Sequence, residues 1–252
     1  MKIDLTGKTV VVTGASRGIG RTICRNLGMA GATVGIHYNK SRSEAIALSK
    51  EIKSPTKIFQ ADLEDTENCL NLFLSFEKEF EKIDVLINNA GIAVDSPIEI
   101  PAKKWLKDWE QTIKVNLTAT ALLCKAAINH FIQNGGGIII NIASRSAFRG
   151  ETNEYFAYAA SKGGMVSLTR SIARGFGKQG VKAFIIAPGF VRTDMTKEFF
   201  NLYGEGIATD DIALPSLTEP QDIAPMIIML CSGLVDHATG STFDFNAGSY
   251  LH

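Results

Sequence analysis

The chain has 252 residues, with Lys plus Arg and Asp plus Glu both at 26 and 45% of positions hydrophobic. That length fits one α/β domain with a large core. The zero formal net charge offers no footprint for nucleic acid or an anionic membrane surface, since both draw on a basic excess.

In chain order, the first predicted strand is Lys8–Thr13. It runs into Gly14-Ala15-Ser16-Arg17-Gly18-Ile19-Gly20 and a predicted helix over Gly18–Ala30. Strand, glycine turn and helix N-terminus form a pyrophosphate cradle: glycines let the backbone approach the ligand, and the helix end offers unpaired N–H groups. A second strand, Thr33–Tyr38, leads to a helix over Arg42–Ile52. An NAD site carries Asp or Glu at the end of this strand to accept from the ribose hydroxyls. Here the segment reads His37-Tyr38-Asn39-Lys40-Ser41-Arg42-Ser43, with no acid before Glu44. Lys40, Arg42 and Arg17 are placed to meet a 2′-phosphate, which points to NADP(H); the competing reading is a set of solvated surface charges.

Strand Thr56–Ala61 precedes Asp62-Leu63 and a helix over Thr66–Glu81. Strand Ile83–Asn88 runs into Asn89-Ala90-Gly91. A long helical pattern over Ala102–Gln133 carries Asn116 in its interior, where an Asn bends the helix or bonds locally. Strand Gly137–Ala143 ends at Ser144. The next helix, Tyr158–Gly177, sets Tyr158 and Lys162 four residues apart on one face. A phenol ionises near about 10, and a neighbouring ammonium pulls that value down, giving an acid/base that works at neutral pH. Strand Val181–Ala187 leads to Pro188-Gly189, with Val191 and Thr193 shortly after. Pro188–Leu217 is punctuated by Gly204, Gly206 and Pro215 and is expected to be a mobile lid. A helix over Gln221–Ser232 and a strand over Ser241–Phe245 complete the pattern. Such alternation implies one doubly wound, Rossmann-type α/β domain over 1–252, about seven parallel strands with helices on both faces.

The ordered set of glycine turn, Asn-Asn-Ala-Gly, Asn116, Ser144, Tyr-x-x-x-Lys and Pro-Gly resembles the short-chain dehydrogenase/reductase family from Lys8 to Leu251. Within it the chain looks most like the 3-oxoacyl-[acyl-carrier-protein] reductases. The resemblance implies that Tyr158 exchanges the proton with the substrate oxygen, Ser144 holds that oxygen, and Lys162 lowers the Tyr158 pKa and binds the nicotinamide ribose. Asn116 is implied to hold a water. Cofactor contacts are implied at Gly14, Ser16, Arg17, Gly18, Ile19, Gly20, Asn39, Arg42, Asp62, Leu63, Asn89, Ala90, Gly91, Pro188, Gly189, Val191 and Thr193. A homotetramer is also implied. The chain departs from the carrier-protein reductases at Asn129–Gly136, which lacks their basic cluster; Arg170, Arg174 and Lys178 remain as carrier contacts.

Some features stay open. Arg145 and Arg149 either hold an anionic substrate or serve a surface loop or subunit contact. Phe190, Phe199, Phe200 and Tyr203 either wall an apolar pocket or pack the lid. His37, His130, His237 and His252 show no metal spacing and are expected to be structural or exposed. Cys24, Cys69, Cys124 and Cys231 are expected to be free buried thiols in a reducing compartment. Met1–Gly7 lacks a signal-peptide pattern, and no apolar run approaches the roughly 18 residues of a spanning helix, so a cytoplasmic protein is expected. Function reads as NADP(H)-dependent ketone reduction on a 3-oxoacyl thioester or similar substrate. The alternatives are a small-molecule alcohol dehydrogenase (sugar, steroid or hydroxy acid) and a non-catalytic cofactor-binding regulator.

Overall fold

Apolar runs with both faces covered become parallel strands. In the computed structural model, which describes residues 3–251, seven such strands form: β1 (Thr9–Val12), β2 (Thr33–Tyr38), β3 (Thr56–Gln60), β4 (Val85–Asn88), β5 (Gly137–Ile142), β6 (Val181–Pro188) and β7 (Thr242–Phe245). Side chains of Met195, Glu198, Phe199, Leu202, Tyr203 and Ile207 lie outside the described set. The sheet order is β3-β2-β1-β4-β5-β6-β7, and every pairing is parallel.

The helices are α1 (Gly18–Met29), α2 (Arg42–Glu51), α3 (Thr66–Glu79), α4 (Ala102–Ile113), α5 (Ala119–Gln133), α6 (Ser146–Arg149), α7 (Phe156–Phe176), α8 (Asp194–Tyr203), α9 (Gly206–Thr209) and α10 (Pro220–Cys231). Alternate strand residues feed opposite layers. Val10, Val12, Val85 and Ile87 pack with Ile23, Leu27, Leu48 and Ile227 under α1, α2 and α10. Val11, Leu86 and Ile139 pack with Phe73, Phe76, Leu123 and Ile172 under α3, α5 and α7. Full burial of each such side chain stabilises the fold by roughly 1.5–3 kcal/mol. Strand order reverses between β1 and β4, which opens a crevice at their carboxyl ends, the place where such sheets bind ligands.

Two expectations need correction. The run Ala102–Gln133 does contain a stretch long and apolar enough to cross a membrane, but half of that stretch is buried inside the protein, as in a core helix. The same run is not one α-helix: a π-helical turn, Lys114–Thr118, separates α4 from α5 and holds Asn116. In the segment expected to be a lid, two short helices form, α8 and α9. Thr193 and Thr196 form a reciprocal cap that starts α8, and Val191 bridges to Thr218 at the lid's base. The four cysteines are free and buried, as expected; burial pushes the Cys124 thiol up to about 12.

Candidate active site

The glycine turn after β1 is pressed against the loop after β4. A Cβ on Gly14 (φ 60°) would meet Ala90 Cα at 2.7 Å, and one on Gly20 would meet Asn89 Nδ2 at 2.5 Å. Asn89 Nδ2 donates to the carbonyls of Thr13 (2.9 Å) and Gly14 (3.0 Å). Thr13 Oγ1 accepts from the backbone N–H groups of Asn89 and Ala90, both at 3.0 Å. His37 supports the turn from below: the Gly14 N–H donates to Nδ1 at 3.1 Å, so the opposite nitrogen carries the hydrogen and donates to the Ala61 carbonyl, also at 3.1 Å. Burial holds this imidazole neutral, pushing it down to about 4. Helix α1 begins with no side-chain cap, so its first N–H groups are left for a ligand. These residues fit a dinucleotide pyrophosphate.

Around that cradle, Ser16 is buried, while Arg17, Asn39 and Arg42 are exposed. Ile19 packs against the core. The backbone N–H of Glu44 and the Ser43 hydroxyl hold the Glu44 carboxyl below the usual range, with Arg17 and Arg21 adding to it. Asp62 Oδ1 accepts from the Glu64 N–H at 3.0 Å. The Leu63 side chain is buried in the core layer under α3 and α5, which leaves its backbone on the crevice side of the chain as the part a cofactor could meet. Gly189 N–H donates to Phe245 O at 2.9 Å, and Val191 is buried. The Thr193 methyl lies 3.4 Å from a Cβ position on Gly18, so the start of α8 touches the glycine turn. Gly91 joins the two halves of the site, with its Cβ position 3.4 Å from both Asn116 Oδ1 and Lys162 Nζ.

β5 delivers Ser144, the π-turn delivers Asn116, and α7 delivers Tyr158 and Lys162. Ser144 lies beside the Tyr158 phenol and lowers its pKa. Lys162 Nζ lies 5.7 Å from the Tyr158 ring centroid and donates to the Ile142 carbonyl at 2.8 Å. Asn116 is fully engaged: Nδ2 donates to Ile92 O (2.8 Å) and Ser161 Oγ (3.0 Å), and Oδ1 accepts the Ile92 N–H at 2.8 Å. This clamps the Gly91 loop onto α7. The π-turn explains why a helix-disfavoured Asn sits there, because the widened turn projects its amide at Ile92.

In this structure burial, rather than Lys162, dominates the Tyr158 pKa. Burial pushes the phenol up to about 12, with Ser144 pulling down and the Glu151 carboxylate pushing further up. Lys162 is itself pushed down to about 8 by burial. Arg145 and Arg149 are also reassigned, because both donate to the Asp211 carboxylate on the lid. Arg145 is buried and lies 4.8 Å over the Phe190 ring. Phe190 and Phe200 pack together with centroids 5.8 Å apart; Phe199 and Tyr203 fall outside the described side chains. Sequence reading missed Thr13, His37, Ser161, Glu151 and Asp211 as parts of the site. Each acts through a partner distant in sequence, or through a loop without periodicity, and only Thr13's place beside the glycine turn offered a signal.

The sequence model of the short chain dehydrogenase family matches residues 8–203. The 3-oxoacyl-[acyl-carrier-protein] reductase FabG of Aquifex aeolicus is 33% identical, over 99% of this chain and 100% of its own. A 3beta-hydroxysteroid dehydrogenase 1 of Eggerthella lenta is also 33% identical, over 99% of this chain and 96% of its own. Among solved structures, a dehydrogenase/reductase of Sinorhizobium meliloti superposes with TM-score 0.90 at 30% identity, covering 99% of this chain and 98% of its own. A putative NAD(P)-dependent gluconate 5-dehydrogenase of Beutenbergia cavernae, with bound NADP, gives 0.89 at 31% identity with the same coverage. Motif order, sheet order and near-complete coverage agree: the chain belongs to the short-chain dehydrogenase/reductase family.

Proposed function

We propose that this oxidoreductase is an NADP(H)-dependent carbonyl reductase that converts a ketone into a secondary alcohol. The observation that carries the reading is the convergence of Ser144, Tyr158, Lys162 and Asn116 at the crevice, beside an uncapped α1 N-terminus. The cofactor supplies or takes a hydride at the substrate carbon. Ser144 and Tyr158 hold the carbonyl oxygen from two directions, and Tyr158 delivers its proton as negative charge develops there. Lys162, anchored on the Ile142 carbonyl, places an ammonium beside the phenol and the ribose site. The buried, clamped Asn116 fixes the Gly91–Ile92 loop, which would hold the nicotinamide side of the cofactor.

Preference for the phosphorylated cofactor rests on Arg17, Lys40 and Arg42 around Asn39, with no acid at the β2 end. The NADP in the Beutenbergia structure is in keeping with it. For the substrate, the full-length likeness to FabG supports a 3-oxoacyl thioester. The equal identity to a hydroxysteroid dehydrogenase keeps a small-molecule alcohol as the second reading. The pairing of Arg145 and Arg149 with Asp211 favours a substrate that is uncharged near the reacting carbon. The same reading includes a cytoplasmic homotetramer.

The test is a panel of 3-oxoacyl thioesters, sugars, steroids and hydroxy acids with NADPH and NADH, followed by cofactor absorbance. NADPH is expected to give the higher kcat/KM, with thioesters the best substrates. Equal or better use of NADH refutes the phosphate assignment, and turnover of steroids or sugars alone moves the reading to the second class.

A further inference from the structure

Two guanidiniums converge on one carboxylate beside the reacting serine. Arg145 follows Ser144 directly in the chain and is only 5% exposed. Its Nη1 donates to Asp211 Oδ2 at 2.9 Å, and Arg149 Nη1 donates to the same oxygen. Arg145 caps the short helix α6, and Arg149 ends it, whereas Asp211 follows α9 in the lid. The Arg145 guanidinium lies 4.8 Å over the Phe190 ring, and its Cδ lies 3.5 Å from a Cβ position on Gly189. It therefore fills the seam where the loop that carries Ser144 faces the lid. Burial pulls the Arg145 pKa down, the Arg149 charge adds to that, and Asp211 and Glu151 oppose both. Burial works to raise the Asp211 carboxyl, yet Arg149 and Arg145 hold it below the usual carboxylate range. Asp211 is thus an ionised counter-ion that two like charges share. Among the described residues neither guanidinium makes a second hydrogen bond, so each keeps N–H donors that suit another anion.

We propose that Asp211 is a specificity-determining residue that keeps anionic substrates out, by filling with its own carboxylate an arginine pair that a substrate carboxylate would otherwise take. The inference deepens the carbonyl-reductase reading and rests on it for its substrates. With Asp211 in place, Arg145 and Arg149 face two acids, Asp211 and Glu151, and the seam has no net positive charge. A free carboxylate arriving there must displace one that the lid already holds, and it meets like charge as it comes. A neutral 3-oxoacyl ester or thioester meets neither obstacle. Discrimination then comes from a repulsive element built into the lid. Asp211 acts through the two arginines and does not touch the reacting atoms.

The test uses the full-length protein and a matched pair of substrates, 3-oxobutanoate and its methyl ester, which share the ketone and differ in charge. With NADPH the wild type is expected to prefer the ester in kcat/KM by at least about tenfold. Asp211→Asn keeps the side-chain shape and removes its charge. It is expected to raise kcat/KM for 3-oxobutanoate at least about tenfold, through KM, while the ester loses no more than about fivefold. Added salt shrinks the gain, because attraction produces it, and adding Arg149→Gln to Asp211→Asn removes it. A wild type that prefers the acid overturns the proposal. So does an Asp211→Asn variant that loses both substrates alike, which would assign Asp211 to lid packing. A measurement without turnover separates the proposal from the reductase reading: the thermal midpoint of Asp211→Ala against added acetate, with chloride at matched ionic strength. Acetate is expected to raise the midpoint of Asp211→Ala by occupying the vacated carboxylate position. It is expected to leave the wild type and the double variant Asp211→Ala with Arg149→Gln unmoved. No acetate effect on Asp211→Ala overturns the proposal. An acetate effect without turnover of any ketone by the wild type refutes the reductase reading alone.

Discussion

Tyr158 is the residue on which the proposed chemistry turns, and its environment is less simple than a phenol beside an ammonium. Packing raises its pKa to about 12 and lowers that of Lys162 to about 8, so at neutral pH the phenol holds its proton and the ammonium its charge. That pairing suits a proton donor to a carbonyl. Tyr158→Phe is expected to leave thermal stability and cofactor affinity nearly intact while cutting kcat at least about 100-fold, the scale of a positioned acid. Retained turnover, with Tyr155→Phe inactive instead, would reverse the assignment. His37 makes a different prediction. Its value falls from 6.5 in the unfolded chain to about 4 in the fold, so the unfolded state binds more protons between those limits. The stability it contributes is complete above pH 6.5 and is lost as pH falls toward 4, roughly 2 kcal/mol by pH 5. Urea unfolding at pH 7 and pH 5 measures it. His37→Asn keeps an acceptor for the Gly14 N–H and is expected to flatten the slope; an unchanged slope would place the acid sensitivity elsewhere.

The elements were legible to the degree that their signal was local. Strands such as Thr33–Tyr38 and Gly137–Ile142 came from short runs rich in β-branched residues and lie within a residue or two of their predicted ends. Ser144, Tyr158 and Lys162 sit where strand-end and helix-face arguments put them. The π-turn at Lys114–Thr118 was not readable, because it arises from the Asn116 amide reaching Ile92 across 24 positions in sequence. Helix α8 was missed because glycines around it read as loop, while its start depends on the Thr193–Thr196 cap. The lid is held by ion pairs that no periodicity encodes: Asp211 to Arg145 and Arg149, and Arg192 to Glu205 and Glu219. Asp211→Asn weakens the first of these. The Arg149 pair is half-exposed and worth about 1 kcal/mol or less, and Arg145 keeps its stacking on Phe190, so KM is expected to rise up to about fivefold while kcat changes little. Loss in kcat with constant KM would show that Arg145 acts on the chemistry rather than through the lid.

At the scale of the whole molecule, the sheet separates the site from the segment where carrier-protein reductases are expected to be basic. β5 is six residues long and carries Ser144 beyond its carboxyl end, whereas Asn129–Gly136 precedes its start, about 20 Å away along the strand axis. That segment has no Lys or Arg, and the chain's formal net charge is zero. An acidic carrier therefore meets neither a local patch nor a general field to steer it, and steering acts mainly on the association rate. A carrier-bound 3-oxoacyl substrate is expected to exceed a pantetheine-type analogue in kcat/KM by less than about tenfold, with little change on adding salt, because there is little attraction to screen. The comparison is made with both substrates at low and high ionic strength. A large advantage that collapses with salt would mean that docking occurs at the end of α7 and the turn after it, around Arg170, Arg174 and Lys178. Arg170 is the first residue to test in that case, since its guanidinium lies 6.0 Å from the Phe148 ring centroid and so reaches the loop that carries Ser144, Ser146 and Glu151.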